Sequence, residues 1–103
     1  VVEQRNYRRT PIDIALEFQL RDRTDRIAAR AADISLGGMF IATAAPAPFG
    51  AEIVVTIHFP GQRAPMSIPG VVRWARPDGM GVQFKLLGAR ETHAITALAS
   101  TKR

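Results

Sequence analysis

The sequence predicts an all-β domain, an antiparallel barrel or sandwich of about six short strands followed by one C-terminal helix. Three observations carry that reading. Apolar residues alternate with polar ones in several short segments, the signature of strands buried on one face. Turn-forming Gly, Pro and Asp separate those segments roughly every ten residues. The alternation gives way to a helical period only after Ala89. With 103 residues, 47% of them hydrophobic, the chain holds one core and has little room for a second domain.

In PIDIALEFQL, Ile12, Ile14, Leu16, Phe18 and Leu20 share one face, and Asp13, Glu17 and Gln19 the other. The polar RDRTD that follows is a turn, and Ile27 to Ala32 returns as the second arm of a hairpin, with an Ala-rich helix as the alternative. Ser35-Leu36-Gly37-Gly38 breaks the chain before the apolar Met39, Phe40 and Ile41, and an Ala- and Pro-rich loop comes next. Ile53, Val55, Ile57 and Phe59 then alternate with Val54, Thr56 and His58 up to Pro60-Gly61. MSIPGVVRWAR is a strand interrupted by Pro69-Gly70, which predicts an edge position or a bulge. Pro77-Asp78-Gly79 turns it back into a strand whose inward phase is Val82, Phe84 and Leu86. Ala94, Ile95, Leu98 and Ala99 mark the buried face of the closing helix. Barrel closure would also remove exposed strand edges. The expected divisions are an N-terminal arm at 1–10, the barrel at 11–88 and a helix with its tail at 89–103.

Composition excludes several classes of function. There is no cysteine, hence no disulfide framework and no thiolate nucleophile. Apolar runs stop well short of the ~20 residues a spanning helix needs, so no membrane insertion is expected. The opening VVEQRNYRR lacks the apolar stretch of a signal peptide, and a start at Val1 fits a trimmed protein or one domain of a longer one. His58 and His93 fall on different elements without metal or catalytic spacing, and Asp13 and Glu17 have no base or nucleophile beside them. An enzyme is therefore not expected. Fourteen Lys and Arg against nine Asp and Glu give a net charge of +5. The informative part is Arg5, Arg8 and Arg9, which crowd the first nine residues against the single Glu3.

Two local motifs stand out: Arg5-x-x-x-Arg9 before the first strand, and Asp33-x-Ser35-x-x-Gly38 after the second. With VVRWARPDGMGVQF closing the pattern, they make the chain resemble the PilZ domain family over nearly its whole length. The resemblance implies a six-stranded antiparallel barrel that binds cyclic di-GMP, a bacterial second messenger, and uses no other cofactor. The residue types suit that ligand. An arginine fork pairs with phosphate oxygens or with guanine O6 and N7. An ionised Asp33 accepts from the N1–H and N2–H of guanine, Ser35 offers a hydroxyl, and Gly38 permits a tight turn and close approach. Arg8 has no motif position and adds long-range attraction.

For the other aromatic and cationic residues plain packing competes with a ligand role. Tyr7 fits base stacking and barrel packing equally. Trp74 on a strand is read as core or rim packing, with its neighbour Arg73 as an additional ligand contact. Pro11 disfavours helix at Thr10, so the arm is expected to be extended or turning, and mobile until ligand orders it. The function expected is a cytoplasmic receptor module whose ligand-induced change is read by a protein partner or an attached domain. The alternative is an adaptor of the same fold acting through protein contacts, with weak or no ligand binding. Few aromatics remain for an exposed sheet face, so no nucleic-acid polymer is expected as partner.

Overall fold

A computed structural model of the chain describes residues 9–101, and the side chains of 9–98. The strands are β1 (Thr10–Leu20), β2 (Ile27–Ile34), β3 (Gly38–Ala42), β4 (Glu52–Ile57), β5 (Met66–Arg76) and β6 (Gly79–Phe84), followed by helix α1 (Ala89–Thr101). They close into an antiparallel barrel in the order β1-β2-β3-β6-β5-β4. Arg5, Arg8 and Tyr7 lie outside the described residues, as does the expected mobility of the arm.

The alternation decides which side chains fill the barrel. Ile12, Leu16 and Phe18 of β1 are buried, and Ile14 and Leu20 pack partly buried against them. Val55 and Ile57 of β4 pair with Ile68 and Met66 of β5, Ile53 and Val72 are buried with them, and Met80, Val82 and Phe84 of β6 extend the same core. Fully burying one such side chain contributes about 1.5–3 kcal/mol, so truncating Phe18, 1% exposed, to alanine would remove about 3–5 kcal/mol. β2 is a strand and not a helix, because every one of its residues except Ala32, which falls at a register shift, finds a ladder partner on β1 or β3. β3 and β4 are not neighbours, so the Ala- and Pro-rich loop must cross the barrel end. Ala47 is buried there and its N–H donates to Met80 Sδ at 3.3 Å. Ala94 and Ile95 of α1 join the same core.

Outside, charge is paired across strands. Arg30 bonds Asp13 at 2.5 Å and Arg26 bonds Glu17 at 3.3 Å, which places both carboxylates on the solvated face as expected. Arg21 and then Lys85 donate to Glu52 and hold its carboxyl below the usual glutamate value.

Two expectations about β5 and β6 are corrected. Pro69 makes neither a bulge nor a free edge of the sheet, since β5 pairs on both sides. It lies one residue past the last β5–β6 pair, Gly70↔Phe84, and its carbonyl accepts from Lys85 N–H at 3.0 Å. N and O of a strand residue point to the same side, so the missing donor falls where that ladder ends. Leu86 is 92% exposed and not in the core, because β6 stops at Phe84 and the inward phase stops with it.

Candidate functional site

The β1–β2 register brings the two sequence motifs together. Thr10 pairs with Ile34, so Arg9 leaves the ladder beside the end of β2. Its Nη1 donates to Asp33 Oδ1 at 2.5 Å, and the same oxygen accepts from Phe40 N–H at 3.2 Å. The backbone bond fixes the carboxylate against β3, and the carboxylate in turn holds Arg9. Both side chains keep solvent access, 51% for Arg9 and 31% for Asp33.

Ser35 to Gly38 form the tight turn between β2 and β3. Ser35 N–H donates to Gly38 O at 2.8 Å, and Ser35 Oγ accepts from Gly37 N–H at 3.1 Å. Ser35 is 7% exposed, so its hydroxyl shapes the turn as well as bordering the site. Gly38 has a backbone reason of its own: a Cβ there would collide with the Val82 carbonyl oxygen on β6. The close approach of two strands, not a left-handed turn, requires glycine.

The third piece comes from β5 and β6. Val72 faces the core and pairs with Val82, but the next pair is Trp74↔Gly81, so Arg73 is the extra residue of a bulge. Without the bulge, alternation would turn Trp74 inward. With it, Arg73 and Trp74 both stand on the outer face. Trp74 lies over Gly81, where a Cβ would strike the indole, and stacks on Phe40 across the strand at 5.3 Å and 16°. The Arg76 guanidinium sits 4.8 Å from the indole centroid. Arg73 Nε donates to Gln83 Oε1 at 2.6 Å.

These pieces border one cleft of about 320 Å³, lined by Arg9, Ser35, Gly37 and Gly38 on one side and by Arg73, Trp74 and Gln83 with Gly81 and Val82 on the other. Of the residues expected from sequence, the structure brings Arg9, Ser35, Gly38 and Arg73 to its wall, and Asp33 is joined to it through Arg9. Arg5 and Arg8 lie outside the described residues. Trp74, read from sequence as packing, is 39% exposed on the cleft, and Gln83 was not singled out at all. One signal for Trp74 was present: glycines at 79 and 81, on the outward phase of a strand, leave room for a ring. Arginine forks, a carboxylate and an indole suit an anionic ligand that carries a planar ring. Among the described residues no cluster of His, Asp or Glu could hold a metal ion.

Comparison with known proteins supports the barrel fold. A search of curated proteins gives no match to the chain. Among solved structures, the PilZ domain of CeSA from a cellulose-synthesizing bacterium superposes with a TM-score of 0.73 at 16% identity, over 90% of this chain and 95% of that one. The PilZ domain of YcgR from Escherichia coli, solved with c-di-GMP, gives a TM-score of 0.74 at 14% identity, over 96% and 91%. The Bacillus subtilis inhibitor of motility MotI/DgrA gives 0.64 at 20% identity, over 94% of this chain and 52% of that one. These likenesses carry the fold. Membership rests on the sequence model of the PilZ domain, which matches residues 3–100, both motifs included, and the chain belongs to the PilZ domain family.

Proposed function

We propose that this domain is a receptor module for cyclic di-GMP. The observation that carries the reading is the cleft where Arg9, held by Asp33, stands across from Arg73 and Trp74. The ligand has two phosphates and two guanines, and this site offers a match for each group. Arg9, with Arg5 of the same sequence motif, provides the forks for phosphate and for guanine O6 and N7. Asp33 accepts from the guanine Watson–Crick edge, where N1–H and N2–H are donors. Ser35 adds its hydroxyl, Gly38 lets the ligand approach the backbone, and Arg8 adds attraction at range. Trp74 provides a ring against which a base can lie, a contact worth about 1–3 kcal/mol in related stacking sites.

Binding draws Arg9 toward the ligand and so changes the surface around the β2–β3 turn. That surface is what a protein partner or an attached domain would read, and the ligand shifts it only by its differential affinity for the two arrangements. The module has no catalytic part in this reading. His58 is engaged with the Gln62 carbonyl at 2.6 Å, and His93 lies on α1. We place the module in the cytoplasm, with no nucleic-acid polymer as partner. Among the described residues no helix is long and apolar enough to cross a membrane.

Thermal melting with added cyclic di-GMP tests this. A ligand at a hundred times its Kd stabilises the fold by about 2.7 kcal/mol, which raises the Tm of a domain this size by about 10 °C. A Tm that stays fixed up to millimolar ligand would refute the receptor reading and favour the protein-contact adaptor.

A further inference from the structure

We propose that Gln83 is a positioning residue that sets Arg73 as the arginine of the second cleft wall, a role that rests on cyclic di-GMP being the ligand. On β6 the inward phase is Met80, Val82 and Phe84, so Gln83 points outward. Its cross-strand neighbour on β3 is Gly38, which has no side chain, and this leaves the room that the cleft occupies. On the β5 side its partner is Val71, and the bulge two residues on brings Arg73 back within reach. The Arg73 Nε to Gln83 Oε1 bond of 2.6 Å is the result.

The chemistry of this pair has a direction. A guanidinium has donors only, so the amide atom facing it is the oxygen, which orients the Gln83 amide and turns its two N–H donors away from Arg73. Nε lies in the guanidinium plane, so anchoring it fixes that plane while both Nη groups remain for a bidentate contact. The wall then presents the Arg73 fork as its donor set, held in place by Gln83. Acceptors of the ligand, its phosphate oxygens or guanine O6 and N7, belong on this wall, and its N1–H and N2–H edge belongs at Asp33. An unanchored arginine would have to give up its rotamer freedom on binding, and Gln83 removes most of that loss beforehand.

The test is a double-mutant cycle read by calorimetric titration with cyclic di-GMP, on wild type, Arg73→Ala, Gln83→Leu and the double variant. Leucine keeps much of the side-chain volume and removes the acceptor. Arg73→Ala should weaken binding about tenfold or more, and Gln83→Leu about three- to tenfold. In the Arg73→Ala background, Gln83→Leu should change affinity less than about twofold, because its partner is gone. A purely structural role for Gln83 would produce the same loss in both backgrounds, and that outcome overturns the proposal. So does wild-type affinity in Gln83→Leu or in Arg73→Ala. If Gln83→Leu fails to melt cooperatively, Gln83→Ala takes its place under the same criteria. Failure of the ligand reading looks different: the wild type itself takes up no cyclic di-GMP, and the positioning role falls with it.

Discussion

Replacing Arg9 by alanine should separate binding from folding. In the free protein Arg9 donates to Asp33 at 2.5 Å, but its side chain is 51% exposed and that of Asp33 31%. Ion pairs so open to water contribute about 0.2–1 kcal/mol, and salt screens them further. Asp33 also keeps its bond from Phe40 N–H at 3.2 Å, so the turn is not left without support. The fold should therefore lose at most about 1 kcal/mol, a Tm drop of only a few degrees. Binding should lose much more, because a charged hydrogen-bonded contact to phosphate or guanine is worth about 1.5–3 kcal/mol, or roughly ten- to 150-fold in Kd. Calorimetric titration and thermal melting of one preparation measure both quantities. Wild-type affinity in Arg9→Ala would show that the arginine is not in the site. A stability loss as large as the affinity loss would show that it is a structural tie.

Three further outcomes follow from the same geometry. Gly38→Ala should destabilise the barrel by about 1–3 kcal/mol, since its Cβ meets the Val82 carbonyl oxygen and one of the two strands must move; denaturant unfolding with unchanged stability would contradict the close approach. Cyclic di-AMP should bind more than about tenfold more weakly, because adenine replaces O6 by a donor and lacks N1–H, and unpaired polar groups cost about 1 to 3 kcal/mol each; equal affinity in competition would refute base reading at Asp33. Trp74 is the single tryptophan, so saturating cyclic di-GMP should change its emission, and unaltered intensity and wavelength at saturation would remove the indole from the binding surface.

How much was legible in the sequence follows from what sets each feature. The inward residues of β1, β4 and β6 were readable because alternation is a local property: Phe18, Ile57, Val82 and Phe84 are all buried. The joining of Arg9 to Asp33, 24 positions apart, was readable only through the motif resemblance, since the β1–β2 register that makes it is a pairing between strands. The orientation of Trp74 was not readable from its own strand, only from the glycines of the strand beside it. A bulge at Arg73 reverses the phase, and nothing in VVRWAR marks it, whereas the Pro69-Gly70 pair drew the expected irregularity to the wrong place. Leu86 continues the alternation in sequence but lies past the end of its ladder, where period carries no information about burial.

The most direct measurement of the central claim is a calorimetric titration of the unmodified chain with cyclic di-GMP, with Asp33→Ala beside it as a folded reference. The wild type should give saturable heat with an affinity in the micromolar range or tighter, and Asp33→Ala should bind at least about tenfold more weakly while still melting cooperatively, several degrees lower because Phe40 N–H loses its acceptor. A folded wild-type chain that gives no saturable heat up to millimolar ligand, or an Asp33→Ala variant that binds as the wild type does, would contradict it.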